Sequence, residues 1–284
     1  MRAWSRTGTG GGAGGGRIGF VPTMGYLHEG HLRLVDYARA RCDRVVLSIF
    51  VNPLQFGPAE DYGRYPRDLD RDRALAAGRG AHALFVPDAR AMYPREPVTR
   101  VTPPAEPLGE AYEAAARPGH FAGVLTVVAK LFHLVTPQVA VFGRKDFQQA
   151  MLVRRLVTDL DFPIAIDIVP TTREADGLAL SSRNVYLSAE RRPQALALSG
   201  ALRVIETAWR GGETDAATLT ARGMEVLAAP GVRPEYLALV DEALRPVPQA
   251  TAATVALVAA RVGATRLIDN VVLGDGLAAD PTIA

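Results

Sequence analysis

The segment of residues 17–34 constrains the fold more strongly than any other part of the chain. Residues 18–21 form a short apolar run, Pro22 and Gly25 interrupt it, and an amphipathic pattern begins near His31. This order predicts a buried strand, a tight turn and a helix. The first main-chain N–H groups of a helix have no partner within it, and the helix dipole adds partial positive charge there. The turn is therefore predicted to bind an anion such as a nucleotide phosphate.

Two histidines, His28 and His31, lie three residues apart at this helix start, and Gly30 between them leaves room for a ligand to approach the backbone. Imidazoles can hydrogen-bond a phosphate and share a proton with a leaving group, which suits them to displacement at phosphorus. A solvated histidine is the alternative for either residue alone. A zinc site fits less well, because His-Glu-Gly-His is one residue shorter than the spacing that places two ligands on one helix face.

Composition limits the class of protein. The chain has 284 residues, of which 48% are hydrophobic, and a net charge of +2. This is enough for a sizeable core in one large domain or two smaller ones, and the charge requires neither nucleic acid nor a membrane as partner. Cys42 is the sole cysteine, so an internal disulfide is excluded. No apolar stretch reaches the ~18–20 residues of a membrane helix, and we expect a cytoplasmic protein.

The N-terminal 16 residues are rich in glycine, and Gly10, Gly12 and Gly15 match the dinucleotide pattern GxGxxG. In that fingerprint the glycines follow a strand, whereas here they precede one. We therefore predict that residues 1–16 form a flexible tail.

Strand and helix patterns alternate over residues 17–171. The nearly continuous apolar run at 44–51 is typical of a parallel strand that is covered on both faces. Further strands are predicted at 83–86, 139–142 and 164–169, and helices at 68–77, 123–135 and 147–160. This alternation predicts an α/β fold with a Rossmann-like, doubly wound parallel sheet, whose ligands sit beyond the carboxyl ends of the strands.

The pattern changes beyond residue 187. Helices are predicted at 188–209 and 215–227, followed by strands at 236–240, 254–261 and 265–273. This segregated order predicts a smaller α+β domain at 172–284, which we expect to act as a lid on the first domain.

Polar residues follow several predicted strands. Gln55 lies in a long loop after the strand at 44–51, and an uncharged amide suits a ligand with hydroxyl and carboxylate groups. Asp70 and Asp72 follow on a charged helix; they could help to hold magnesium, but such carboxylates are usually solvated, and we leave them unassigned. Val127 and Val128 either pack in a helix or form an apolar wall for a ligand.

Three motifs carry a resemblance to a known family: Pro-Thr-Met-Gly-Tyr-Leu-His-Glu-Gly-His at 22–31, Gly-Arg-Lys-Asp-Phe-Gln-Gln at 143–149 and Arg-Glu-Ala-Asp-Gly-Leu-Ala-Leu-Ser-Ser-Arg-Asn at 173–184. Together with the loop that contains Gln55, they resemble the pantothenate synthetases, the pantoate–β-alanine ligases among the HIGH-motif nucleotidyltransferases. The chain departs from the family pattern at Arg144, where glutamate is common, and at Leu180, where methionine is usual. The N-terminal extension is also shorter than in the family.

The resemblance implies a site for each substrate. Catalytic roles fall on His28, His31, Lys145, Ser181, Ser182 and Arg183. ATP contacts fall on Met24, Gly25, Tyr26, Leu27, His28, Glu29, Gly30, His31, Gly143, Arg144, Lys145, Asp146, Thr172, Leu180, Ser181, Ser182 and Arg183. Pantoate contacts fall on Gln55 and Gln149, with Val127 and Val128 as the apolar wall, whereas Arg117 and His120 match the family pattern with less direct roles.

The implied reaction is the ATP-dependent condensation of pantoate with β-alanine through a pantoyl adenylate, with release of AMP and pyrophosphate. The resemblance also implies Mg²⁺, carried with ATP and without named protein ligands, and a homodimer. Two alternatives are a different adenylyltransferase and a nucleotide-binding regulator without catalysis. Gln55 and Gln149 argue against the first, because a phosphorylated substrate would call for cations there. The retained histidines, Lys145 and the Ser-Ser-Arg sequence argue against the second.

Overall fold

The structure, a computed structural model, describes residues 16–58, 60–95 and 99–277. The described residues divide into two compact units, one of 16–143 with 148–169 and the other of 144–147 with 170–277. The flexible tail was predicted for residues 1–16; all of it except residue 16, including the GxGxxG match, lies outside the described residues. Among the described residues, no single helix is long and apolar enough to cross a membrane. The helical segments Pro107–Ala116 and His120–Val135, which meet at a bend of 113°, would together be long and apolar enough, by length and composition alone.

The first unit contains a five-stranded parallel sheet in the order β3-β2-β1-β4-β5. Its strands are β1 Ile18–Thr23, β2 Arg44–Ile49, β3 Ala83–Phe85, β4 Val139–Gly143 and β5 Ala165–Val169. The helices along this part of the chain are α1 Glu29–Arg39, α2 Leu69–Gly78, α3 Ala89–Met92, α4 Pro107–Glu110, α5 Glu113–Ala116, α6 His120–Val135 and α7 Phe147–Asp159. The chain runs outward from β1 to β3 and then returns to β4 on the other side of β1. The predicted doubly wound sheet is confirmed, and its strand order reverses between β1 and β4.

The core of the first unit explains why β1 is fixed at the centre of the sheet. Val21 of β1 packs with Val45 and Leu47 of β2 and with Val141 of β4 in one buried cluster. Phe20 is also fully buried, and its ring meets that of Phe132 edge to face at 6.4 Å between centroids. Strand β1 is paired with a strand on each side and is buried on both faces, so the turn that follows it starts from a rigid position.

The second unit combines two helices with an antiparallel sheet in the order β6-β7-β8. Its elements are α8 Arg192–Arg210, α9 Ala216–Leu227, β6 Val232–Val240, β7 Val255–Val262 and β8 Thr265–Val272. Helix α8 begins four residues later than predicted, because Pro193 fits only the first turn of a helix. Strand β6 begins four residues earlier than predicted, with an irregular register between Pro234 and Tyr236 that concealed its pattern.

Candidate active site

The turn after β1 has a backbone that few residues can adopt. Gly25 and Tyr26 have positive φ angles of 83° and 50°. A Cβ at position 25 would lie 2.7 Å from Ile49 Cγ2 and 3.0 Å from Asp72 Oδ2, so the turn requires glycine there. Thr23 Oγ1 accepts the Gly25 N–H at 3.1 Å. The predicted strand, turn and helix are all present, and the turn is held closely against its surroundings.

A buried carboxylate supports this turn from α2. Asp72 is 1% exposed, and its two oxygens accept the main-chain N–H groups of Tyr26 and Leu27, each at 2.7 Å. The sequence predicted that acidic side chains on this helix are exposed to solvent. This is correct for Asp70, whose side chain is 95% exposed, and wrong for Asp72. The reason is that two successive N–H groups of the turn need an acceptor, and a carboxylate provides two oxygens. These two N–H groups therefore already have an anionic partner within the protein.

The two histidines lie at the first turn of α1. His28 is the N-cap residue, with an extended backbone, and its carbonyl accepts the N–H groups of His31 and Leu32. The helix consequently starts at Glu29, two residues before the predicted start. The imidazole rings stack with centroids 3.9 Å apart, and the His28 N–H donates to His31 Nδ1 at 3.3 Å. Because His31 Nδ1 accepts, a neutral His31 carries its proton on Nε2, where it can be donated.

Gln55 lies next to the turn that follows β1. It is 8% exposed and ends a short 3-10 helix, Pro53–Gln55. Its Nε2 donates to Met24 Sδ at 3.1 Å, so the structure brings these two predicted site residues together. Its Oε1 accepts from Asn52 Nδ2 at 3.1 Å, and the Tyr93 hydroxyl donates to Asn52 Oδ1 at 2.9 Å. Burial raises the pKa of Tyr93 to about 12, so the hydroxyl remains a donor.

Sequence reasoning missed Asn52 and Tyr93 as supports of Gln55. The position of Asn52, directly after a buried strand and before proline, was an available signal. Tyr93 gave none, because it lies 41 residues away.

The two adjacent glutamines of α7 have different surroundings. Gln148 is 4% exposed, accepts the Glu113 N–H and donates to the carbonyls of Leu108 and Ala111. Its amide is thereby used to hold α4 and α5. Gln149 is only half-buried, which leaves it more accessible than Gln148, and its contact with pantoate stays a prediction.

Val127 and Val128 are both 5% exposed within α6. Their burial fits helix packing as well as an apolar wall, and their contact with pantoate stays a prediction.

In the second unit, residues 144–147 are held by β8. Asn270 is 3% exposed, and its Nδ2 donates to the main-chain carbonyls of Arg144 and Lys145 at 3.0 and 2.8 Å. Arg144, the departure from the family pattern, pairs with Asp275 of the same unit. Lys145 Nζ lies 3.7 Å from Asp146 Oδ1. The reversed charge at position 144 is therefore neutralised within its own unit.

The same strand holds the segment that contains Thr172 and the two serines. Asp269, adjacent to Asn270, binds Arg173 through two contacts of 2.6 and 2.9 Å, and the two side chains are only 3% and 6% exposed. The Leu180 N–H donates to the Thr172 carbonyl at 3.0 Å, which brings these two predicted ATP contacts together.

The Ser-Ser-Arg sequence has a defined local structure. Ser181 caps a 3-10 helix, Ser182–Tyr186, and its Oγ accepts the Arg183 N–H at 3.2 Å. Ser182 is 7% exposed. The segment that carries these three residues therefore has a capped, partly buried conformation.

In the described part of the chain, no group of three or more His, Cys, Asp or Glu side chains is placed to hold a metal ion.

Comparisons with known proteins identify the family to which the chain belongs. A family model described as pantoate-beta-alanine ligase matches residues 1–272. A pantothenate synthetase of Acidobacterium capsulatum is 54% identical over 264 residues, which are 92% of this chain and 88% of the relative. A pantothenate synthetase of Moorella thermoacetica is 53% identical, over 90% of each chain.

Solved structures are similar across both units. The pantothenate synthetase of Thermus thermophilus matches with a TM-score of 0.88 and 53% identity, and the match covers 90% of this chain and 93% of that one. A pantoate–β-alanine ligase of Francisella tularensis, solved in complex with β-γ ATP and β-alanine, matches with a TM-score of 0.77 and 34% identity over 93% of this chain and 92% of that one. With a family match over nearly the whole chain and relatives of this similarity, this chain is an enzyme that belongs to the pantoate–β-alanine ligase family, the pantothenate synthetases.

Proposed function

We propose that this enzyme condenses (R)-pantoate with β-alanine in two steps, through an enzyme-bound pantoyl adenylate. Family membership accounts for the formation of pantothenate, and the proposal concerns the intermediate, the products AMP and pyrophosphate, and the residues involved. The observation that carries it is the stacked histidine pair at the first turn of α1, next to the point where the strand order of the parallel sheet reverses. Ligands of doubly wound sheets bind outside the carboxyl ends of the strands at such a point.

In the first step, a pantoate carboxylate oxygen attacks the α-phosphorus of ATP, and the bond to the bridging oxygen of pyrophosphate breaks. No protein nucleophile is needed. His31 suits this step because its Nδ1 accepts a main-chain N–H, so that its Nε2–H can donate to a phosphate oxygen as charge develops. We assign the same stabilising role to His28, and to Lys145, Ser181, Ser182 and Arg183 on the strength of the family pattern.

In the second step, the neutral amine of β-alanine attacks the carbonyl carbon of the pantoyl adenylate. The amide bond forms, the bond from carbon to the phosphate oxygen breaks, the nitrogen gives up a proton to the departing phosphate or to solvent, and AMP leaves. Water would hydrolyse the mixed anhydride, so the intermediate must stay enclosed until the amine arrives. Gln55 supports binding of the acid, because its uncharged amide is buried beside Met24 and is presented by a loop that Asn52 holds.

The substrate assignment draws on the Francisella tularensis relative, whose structure contains β-γ ATP and β-alanine. Mg²⁺ is proposed to arrive bound to the phosphates of ATP, where it would offset their negative charge, and no protein ligand is assigned to it. A homodimer, a cytoplasmic location and a lid role for residues 172–284 stay predictions. Light scattering during gel filtration tests the first of these.

Isotope exchange between pyrophosphate and ATP tests the intermediate. With pantoate present and β-alanine omitted, the wild-type enzyme should exchange label, and without pantoate it should not. Exchange that is independent of pantoate, or that requires β-alanine, would refute the adenylate. Pantothenate formation without exchange would likewise point to a concerted route.

The His31→Ala variant tests the role of the histidine pair. It should retain ATP binding, measured by calorimetry, and lose most of its turnover, because Nε2–H is removed without changing the sheet. Wild-type turnover in this variant would remove His31 from the mechanism.

A further inference from the structure

Glu60, Arg117 and His120 form a hydrogen-bonded chain that ends on the main chain of Gln55 and is not used by the mechanism above. Arg117 donates to Glu60 through two contacts, Nε to Oε1 and Nη2 to Oε2, both of 2.7 Å. The Arg117 side chain is 14% exposed and the Glu60 side chain 25%. Burial raises the pKa of Glu60, but its contacts with Arg117 outweigh this and leave the pKa below its ordinary value. Glu60 therefore remains ionised and fixes the guanidinium.

The next member of the chain is His120, which is 8% exposed. Arg117 Nη1 lies 2.9 Å from His120 Nε2, and His120 Nδ1 lies 2.8 Å from the main-chain carbonyl oxygen of Gln55. A guanidinium can only donate and a carbonyl can only accept. His120 Nε2 must therefore accept from Arg117, and its proton must be on Nδ1, which donates to Gln55. The neighbours on both sides of the ring select one tautomer.

The neutral form of this histidine is also favoured by its environment. Burial, and secondly the charge of Arg117, lower the pKa of His120 to about 4. At neutral pH the ring is therefore uncharged, as the two contacts require.

The carbonyl that His120 holds belongs to the last residue of the 3-10 helix Pro53–Gln55. On its other side, the Gln55 amide contacts Met24 and Asn52. Gly123 of α6 packs so closely on this loop that a Cβ there would lie 2.2 Å from the Leu54 carbonyl oxygen. The loop is thus held against the start of α6 by close packing and by the bond from His120.

We propose that His120, in the Nδ1–H form imposed by Arg117 and Glu60, is a positioning residue that orients Gln55 toward pantoate. The inference rests on the proposed role of Gln55 in binding pantoate and adds the group that sets its orientation. His120 contacts the main chain of Gln55 and, in this proposal, acts on pantoate only through that residue. Its loss should therefore weaken binding of pantoate and leave the binding of ATP nearly unchanged.

Two substitutions by residues of similar size distinguish the hydrogen bond of His120 Nδ1 from that of His120 Nε2. In His120→Asn, the side-chain amide can take the place of Nδ1–H and still donate to the Gln55 carbonyl. In His120→Gln, the longer side chain reaches the place of Nε2, accepts from Arg117 and loses the bond to Gln55. In the pyrophosphate exchange assay, we expect His120→Gln to raise the KM for pantoate about tenfold and His120→Asn to stay within about threefold of wild type. The KM for ATP should change less than twofold in both.

Thermal unfolding of both variants separates orientation from folding, because a merely structural role would alter stability and both KM values together. A wild-type pantoate KM in His120→Gln, or equal changes in the KM for pantoate and ATP, would overturn the inference while leaving the proposed function intact. Absence of pantoate-dependent exchange in the wild-type enzyme would instead refute the proposed function, and with it this role.

A second measurement does not depend on activity. Long-range ¹H–¹⁵N correlation of the histidine rings at neutral pH should show His120 protonated on Nδ1 alone. Protonation on Nε2, or on both nitrogens, would overturn the inference whatever the kinetics.

Discussion

Replacement of Asp72 by asparagine tests whether the turn after β1 is held by a buried charge. In the wild-type protein, two main-chain N–H groups donate to this carboxylate at 2.7 Å, and the residue is 1% exposed. Hydrogen bonds to charged groups contribute about 1.5–3 kcal/mol each. Asparagine keeps one oxygen, so one N–H keeps its acceptor and the other faces an NH₂ group. We therefore expect Asp72→Asn to lower the free energy of unfolding by about 2–3 kcal/mol.

The same substitution should lower turnover, because the turn places His28 and His31. A displacement of about 1 Å in a catalytic group can cost 10²-fold in rate. The assay is pantoate-dependent pyrophosphate exchange, at a temperature where denaturant titration shows the variant to be folded. Asp70→Asn is the matched control, since Asp70 lies on the same helix, has a side chain that is 95% exposed, and pairs with Arg73 at 3.6 Å. It should change stability by less than about 0.5 kcal/mol.

Two results would refute this reasoning. Unchanged stability in Asp72→Asn would mean that the two N–H groups find other acceptors. Reduced stability with a wild-type turnover number would mean that the carboxylate supports the fold without placing the histidines.

Three further predictions concern stability. Gly123→Ala should destabilise the protein by several kcal/mol, because its Cβ would lie 2.2 Å from a main-chain carbonyl oxygen, whereas Gly78→Ala, with nothing within 4 Å, should be neutral or slightly stabilising by thermal unfolding. Arg173→Met should cost about 3–5 kcal/mol in denaturant unfolding by leaving Asp269 buried and unpaired, and Asp269→Leu added to it should recover much of the loss. Burial and the neighbouring Arg117 guanidinium lower the pKa of His120 from 6.5 to about 4. Between these two pH values, His120 is protonated in the unfolded chain and neutral in the native state. This contribution to stability is complete above pH 6.5 and falls by about 3 kcal/mol toward pH 4, and the unfolding profile of His120→Asn should lack that part of the slope.

Much of the parallel sheet could be predicted because its central strands are buried on both faces. The apolar runs at 18–21 and 44–51 have that property, and the observed strands are Ile18–Thr23 and Arg44–Ile49. Prolines and glycines marked the turns. Together with the apolar runs, they were enough to predict the order of strands and helices. The helix ends were less accurate, because they depend on caps such as the His28 main chain.

The supports of the candidate site were not predictable from local pattern. Asp72 looks like any acid on a charged helix until its partners 45 and 46 residues away are known. Asp269 and Asn270 are buried polar residues of β8, and their partners lie more than 90 residues away. Motif matching identified the residues expected to touch ligands, whereas the groups that hold those residues depend on tertiary contacts.

The bonds from Asn270 to the carbonyls of Arg144 and Lys145 have a consequence for dissecting this protein. By its contacts the second unit includes residues 144–147, which are separated from the rest of it by residues 148–169. A fragment that starts at residue 170 would lack these carbonyls, so the Asn270 amide would lose both acceptors and the contacts that cover it. Such a fragment should be less stable than the same unit in the intact chain, and a synthetic peptide of residues 143–147 added in trans should partly restore it.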